Sequence, residues 1–298
     1  MRRTAVIAIA AGLLAVICQS IFYIFVRRAQ VHLLIPGLAL NVQMHWQLGF
    51  VAWPLAYLFW PDSVSWQAHL YALGVSVAYW IAQICFFSAL NRASSAQVAP
   101  MLALKLMVVG IGSSLFLNTH INIEQWQAIA LATAAAAFLS IGAGKPPLKA
   151  TLLTLTTVVM FSASDISLGA FINAVSFDDQ LSQVIFVLSY CFGLNSLFTL
   201  FCRPWRMEAA ATRACIPVAA LCLISMVFLF TAFVLGGVVL GNLMLATRGI
   251  VVVLVGIALR PLLEEGIEPK VEWRVWARRL IAAAGMLVAV NWYITAMG

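Results

Sequence analysis

Apolar runs of helix length, punctuated by short polar or basic turns, fill the chain from end to end. They predict helical segments over about 4–26, 34–60, 69–90 and 95–117, and a fifth starting near Trp126. Further segments follow over 152–172, 181–201, 216–235, 238–259 and 275–293. Each approaches the roughly 20 residues that a helix needs to cross a hydrocarbon core about 30 Å thick, and the strict alternation of membrane strands is absent. The polar residues inside these runs are clustered. Gln19, Ser20 and Tyr23 form a patch in the first segment, with Gln19 and Tyr23 on one face at i, i+4. Asn41, Gln43, His45 and Gln47 interrupt the second, Tyr79 and Gln83 share a face of the third, and Ser162, Ser164 and Asp165 mark the sixth.

One of these runs is nearly restated. Met101-Leu102-Ala103-Leu104-Lys105 returns as Met244-Leu245-Ala246-Thr247-Arg248 half a chain later, with Val108-Val109 after the first copy and Val251-Val252 after the second. Trp126 followed by Ala134 to Ala137 is answered by Trp276 followed by Ala282 to Ala284. Gly142 to Lys149, with Pro146-Pro147, reads as a linker. The chain is therefore expected to consist of two related halves, residues 1–145 and 146–298, of five helices each.

Composition identifies the solvent. Charged residues make up 9% of the chain and hydrophobic ones 64%, against about 25% charged in a soluble domain. Mean hydropathy is +1.02. Such a chain lacks the polar surface to face water, and the bilayer is the expected partner. The net charge of +7 does not point to nucleic acid, because the basic residues sit in short loops. Arg27, Arg28, Arg92, Lys145, Lys149, Arg203, Arg206, Arg213, Arg260, Lys270, Arg274, Arg278 and Arg279 all fall on one side of the predicted topology. Arg2, Arg3, Asp62, Glu124, Asp178 and Asp179 fall on the other. By the positive-inside rule both termini are expected away from the cytoplasm, in a bacterial inner membrane. The first segment, lacking a small-residue cleavage site, reads as a retained helix. The six cysteines lie in or beside apolar runs without metal-ligand spacing and read as packing residues. His32, His45, His69 and His120 are dispersed. No catalytic spacing, phosphate loop or acidic metal pair occurs, so neither an enzyme nor a cofactor is expected.

Lys105 and Arg248 carry the candidate chemistry. A charge at mid-membrane costs at least about 2.5–3.5 kcal/mol, and the apolar residues on both sides prevent either cation from snorkelling out. On α-helical spacing the face of Arg248 carries Met244, Gly241 and Gly237, and that of Lys105 carries Met101, Val98 and Ser94. The Gly237/Gly241 pair reads as a face of close backbone approach, for a packed helix ahead of a ligand. Asp165 is the one carboxylate deep in an apolar run, so it can neutralise only one of the two cations. The excess positive charge calls for an exogenous anion; structural pairing, or a proton relay through Asp165 or Lys105, are the alternatives. The expected substrate ligands are Lys105, Arg248, Met101, Met244, Gln19, Tyr23, His45, Tyr79, Gln83 and Asn242, with Asp165 as a coupling or ion-pair residue.

Helix count, half-length repeat and the Ser94-Ser95-Ala96-Gln97-Val98-Ala99-Pro100 entry to the fourth segment resemble the drug/metabolite transporter superfamily in its ten-helix form with two EamA-type repeats. That resemblance implies ten transmembrane helices as two five-helix inverted repeats around a central cavity. The cation pair is similar to that of the nucleotide-sugar and triose-phosphate transporters of the same superfamily, where basic residues grip substrate phosphate. The Gly-Ala-Leu-Asn-Lys stretch of nucleotide-sugar transporters is absent; this chain reads Leu245-Ala246-Thr247-Arg248-Gly249, so an anion site is implied and not a nucleotide site. The expected function is a secondary carrier moving a small organic anion by alternating access, as a monomer or homodimer. The alternatives are an exporter of amino acids or drug-like metabolites with Lys105 and Arg248 structural, a channel, or an integral membrane transferase.

Overall fold

The computed structural model describes residues 2–32, 34–93, 95–98, 101–138, 146–202, 209–248, 251, 254–255, 258 and 273–296. Among them the regular elements are all helical. They are α1 (Arg2–His32), α2 (Gly37–Leu58), α3 (Trp66–Leu90), α4 (Ser95–Val98), a 3-10 turn (Met101–Leu104) and α5 (Lys105–Phe116). Then come α6 (Ile123–Phe138), α7 (Leu148–Ala174), α8 (Gln180–Phe198), α9 (Ala209–Ala214), α10 (Ile216–Ala246) and α11 (Trp273–Thr295). Among the described residues five helical stretches are long and apolar enough to cross a membrane: Thr4–Gln30, Trp66–Leu90, Leu148–Ala174, Gln180–Phe198 and Thr212–Ala246.

The helix ends follow local chemistry. Ser65 caps α3 by accepting from Ala68 N, and Asp179 caps α8 by accepting from Ser182 N at 2.8 Å. Hydrogen bonding from the Ser182 side chain, and then from its backbone N–H, holds the exposed Asp179 carboxyl below its ordinary range. Asn122 and Gln125 bond reciprocally to each other's backbone N–H at 2.9 Å, a capping box that opens α6. Pro36 and Pro147 stand just before α2 and α7, where a missing N–H costs nothing.

The bundle is inverted relative to a water-soluble one. Leu73, Val77, Ile81 and Ile84 make an exposed apolar stripe down α3, and Leu148, Leu152, Leu155 and Val159 do the same on α7. Gln19, Ser20, Asn41, His45, Ser76, Ser162, Ser164, Asn195 and Asn242 are buried. The most extensive packing is between sequence-distant helices: α1 along α10, α3 along α7, α2 against α8, and α6 against α11. Small residues let these pairs approach. A Cβ on Gly12 of α1 would stand 2.7 Å from Met244 Cγ, and one on Gly193 of α8 would stand 3.0 Å from the Trp53 ring of α2. Ser164 Oγ donates to Val75 O at 3.0 Å, and Trp80 Nε1 donates to Asn195 O at 3.1 Å.

The connection expected between segments 216–235 and 238–259 is a sharp turn, and the expected segment 95–117 is broken where continuity was expected. The 35-residue stretch Thr212–Ala246 would be about 50 Å long if straight, far more than a ~30 Å hydrocarbon layer. It turns at Gly237, whose φ of 80° and ψ of 162° are open essentially to glycine alone. Phe233 lies against Gly241, although residues eight apart in a straight helix are separated by about 12 Å, so the two arms fold back on each other. This corrects the packing role read for Gly237: it makes the turn, while Gly241 leaves room for the Phe233 ring. The predicted segment 95–117 is likewise interrupted, by the 3-10 turn Met101–Leu104, and α5 starts at Lys105 itself. Beyond Arg248, most of the predicted 238–259 segment lies outside the described residues, as do Gly142 to Lys145 of the linker and Lys145, Arg203, Arg206, Arg260 and Lys270 of the basic loops.

Gly237→Ala is expected to lower stability by about 1–3 kcal/mol through backbone strain alone, since no atom lies within 4 Å of the added methyl. Thermal unfolding in detergent measures it; an unchanged midpoint would show that the turn adopts another backbone geometry.

Candidate functional site

A cavity of about 320 Å³ lies inside the bundle. Its walls come from the later halves of α1, α3 and α8, the middle of α7, both arms of α10, and the start of α5. It thus sits towards the end of the bundle at which α1, α3 and α8 finish. Phe86, Phe161, Phe192, Phe230 and Phe233 supply aromatic surface, and Gln19, Tyr23, Tyr79, Gln83, Lys105, Ser164, Asp165, Asn195, Asn242 and Arg248 supply polar groups.

Lys105 is held by a carboxylate. Its Nζ is 2.7 Å from Asp165 Oδ2, and it stands 5.5 Å from the centroid of the Phe161 ring. The same Oδ2 accepts from Asn242 Nδ2 at 2.6 Å, and Asn242 is itself aimed by a 2.9 Å bond to Val238 O. A cation on the first residue of a helix opposes the positive end of the helix dipole, so the first turn of α5 favours a neighbouring anion, and Asp165 supplies one. Arg248 is held differently. Its Nη1 donates to Gln19 Oε1 at 2.9 Å and lies 3.3 Å from the Tyr23 hydroxyl, while its Cζ stands 4.9 Å from the centroid of the Tyr23 ring. The hydrogen-bonding partners of Arg248 among the described residues are neutral. Arg248 also begins a helical turn, since α10 ends at Ala246 and Val251 N donates to Thr247 O at 3.3 Å. Both cations of the repeated motif therefore stand just after a break in their helices.

Of the residues singled out in the sequence, Gln19, Tyr23, Tyr79, Gln83, Lys105, Asp165, Asn242 and Arg248 are brought together on this cavity. Three others are not on its wall. His45 is fully buried behind Tyr79: its Nε2 lies 3.3 Å from the Tyr79 hydroxyl, which also accepts from Gln83 Nε2 at 2.5 Å. It is enclosed by Tyr79, Trp80 and Phe192 rings, so it supports the wall without forming it. Met244 is buried against Gly12 of α1. Met101 belongs to the 3-10 turn, where α-helical i, i+4 spacing from Lys105 does not apply. The aromatic walls were not singled out from the sequence, because phenylalanine is as common on lipid-facing positions as on a cavity.

Towards the opposite end an aromatic cluster packs between α3 and α8, and a second cavity of about 190 Å³ lies beside the Gly237 turn. His69 Nδ1 and the Tyr190 hydroxyl are 2.7 Å apart, joining the first turn of α3 to α8. Trp60 stacks on His69 and meets both Phe186 and Tyr190 edge-on, with Phe171 and Phe177 packed behind.

No family model matches the chain, and no curated protein does. A crystal structure of another protein superimposes with a TM-score of 0.68 at 15% sequence identity, over 96% of this chain and 95% of that one. The likeness is one of fold. It spans nearly the whole of both chains, so the arrangement of the helices recurs in a solved structure as a single unit.

Proposed function

We propose that this protein is a secondary carrier for a small organic anion, of the ten-helix drug/metabolite transporter type, working by alternating access in a bacterial inner membrane. The observation that carries the reading is Arg248, a guanidinium on a cavity wall within the bundle, held there by neutral Gln19 and Tyr23. A half-buried guanidinium whose partners among the described residues are all neutral is costly, and an anionic ligand would offset that cost. Lys105, closed on Asp165, is better suited to the structural role once weighed for both cations, and Arg248 is the anion ligand.

The inverted repeat has support in the packing. If the two arms of α10 count as separate helices, and α4 to α5 as one, each half contributes five. The contacts of α1 with α10 and of α3 with α7 each join one half to the other, and exchanging halves leaves α2 against α8 and α6 against α11 paired as they are. Interrupted helices beside the charged groups are a feature of carriers whose binding site lies at mid-membrane. The basic loops fall at the end towards which the cavity lies, so the positive-inside rule makes that end cytoplasmic and both termini external. Purified protein in proteoliposomes tests the reading. A carrier gives saturable uptake and counterflow of an organic anion; flux that rises linearly with concentration would make it a channel, and no flux of any anion would defeat the proposal.

Alternating access requires the aromatic cluster between α3 and α8 to open. The bond between His69 and Tyr190 ties α3 of one half to α8 of the other, and is worth about 1 kcal/mol. Tyr190→Phe keeps the ring and deletes the bond, so the open state should gain about fivefold in population. In a variant retaining Cys191 as its sole cysteine, an impermeant maleimide added on that side should label this cavity residue correspondingly faster. Labelling at the unaltered rate would mean that the aromatic cluster is a static plug.

A further inference from the structure

The charges on the cavity wall are unequal in what they leave over. Lys105 and Asp165 cancel each other at 2.7 Å, and Asn242 adds a third group to the same carboxylate oxygen. Arg248 meets only neutral hydrogen-bond partners among the described residues. The wall formed by these three ionic groups therefore presents a single surplus positive charge. Around it stand the rings of Phe86, Phe161, Phe192, Phe230 and Phe233. The volume of about 320 Å³ is at the small end of the roughly 300–1,000 Å³ typical of ligand sites.

We infer that the cavity takes a monovalent organic anion with a compact apolar body, best a single aromatic ring, and that Asp165 is the residue that sets this specificity by cancelling Lys105. The inference rests on the reading of Arg248 as the anion ligand and goes on to name the class. A carboxylate accepts two parallel N–H bonds from a guanidinium fork, and the body gains burial against the phenylalanines. A dianion such as a phosphate ester would bring a second negative charge that nothing on the wall matches, and the low dielectric makes an unmatched charge expensive. A short acid without a body would leave the aromatic wall unfilled. A neutral amide of the same shape would leave Arg248 uncompensated.

Asp165 therefore acts as a charge filter. Asp165→Asn removes the negative partner but keeps the side-chain shape and one hydrogen-bonding oxygen, and releases Lys105 to act with Arg248. The cavity then carries two positive charges, and its preference should move to dianions.

The test uses the full-length protein purified in detergent, with ligand-dependent shifts in thermal midpoint as the readout. The probes are 3-phenylpropionate, its amide, acetate and phenyl phosphate. The wild-type protein is expected to bind 3-phenylpropionate at least tenfold more tightly than any of the other three. Arg248→Gln should remove that response. Asp165→Asn should shift the ratio of phenyl phosphate to 3-phenylpropionate affinity at least tenfold towards the phosphate. If Asp165→Asn does not fold, the double variant Lys105→Gln with Asp165→Asn, which keeps the original net charge, should retain the monoanion preference.

Equal binding of the amide, or wild-type binding of phenyl phosphate as tight as that of 3-phenylpropionate, overturns the inferred class. So does an Asp165→Asn variant with an unaltered ratio. If one of those anions binds and Arg248→Gln abolishes it, the carrier reading survives and only the class fails. If none of the anions shifts the midpoint of the wild-type protein, both fail.

Discussion

Arg248→Ala is expected to lower affinity for the proposed anionic substrate on the order of tenfold to a hundredfold, the range for losing a hydrogen bond to a charged group. Uptake at substrate concentrations below saturation should fall with it. The side chain reaches the cavity from just beyond the end of α10, steadied by Gln19 and the Tyr23 ring of α1. Truncation leaves those neutral groups without a charged partner, a small penalty, and removes the surplus charge, a large one. Arg248→Lys separates charge from geometry. A lysine retains the charge but cannot present two parallel donors or stack in the same way on Tyr23, so it should restore only a minor part of the affinity. Direct binding and saturable uptake should move together. If Arg248→Ala transports with unaltered kinetics, the guanidinium is a structural link between α10 and α1.

The second large effect is on stability. Lys105→Ala strands Asp165 among apolar walls with Asn242 as its neutral partner, and Asp165→Asn strands Lys105 at the start of α5. Removing one member of a fully buried pair typically costs about 3–5 kcal/mol, and less is expected here because both side chains are partly exposed to the cavity; replacing both with neutral groups is often close to neutral. Each single variant should therefore unfold at a lower temperature, and Lys105→Met combined with Asp165→Asn should recover most of the loss. The cycle isolates the coupling between two residues that touch. Simple additivity of the single effects would mean that the 2.7 Å contact contributes nothing to holding α5 against α7.

Much of this was legible along the chain, for reasons that are local. Helix formation in an apolar chain follows from backbone hydrogen bonding and hydropathy, so the helices of the described residues fall close to the predicted spans: 180–198 where 181–201 was expected, and 148–174 where 152–172 was expected. Helix α1 outruns its apolar segment to His32 because Arg27, Arg28 and Gln30 are good helix formers in any solvent. The cations stood out because charge is rare and costly among such neighbours, and the repeated motif marked both. The turn at Gly237 falls in the gap expected between segments 216–235 and 238–259, although Gly237 itself was read with Gly241 as a packing face.

The sequence by itself determined the helical class, the inside-out placement of polar groups and the short list of costly charges, because each depends on one residue and its near neighbours. Only the tertiary structure decided which cation is cancelled. Helical periodicity sets the face a residue occupies but not the helix that comes to lie against that face. Lys105 meets Asp165 and Arg248 meets Gln19 and Tyr23 because α5 packs on α7 and α10 on α1, contacts made across long separations in the chain. His45 and Met244 have the polarity and spacing expected of a wall, yet stand behind it because Tyr79 and α1 occupy the space in front. The unequal neutralisation of two similar cations, from which the binding chemistry follows, is a property of packing that neither copy of the motif contains.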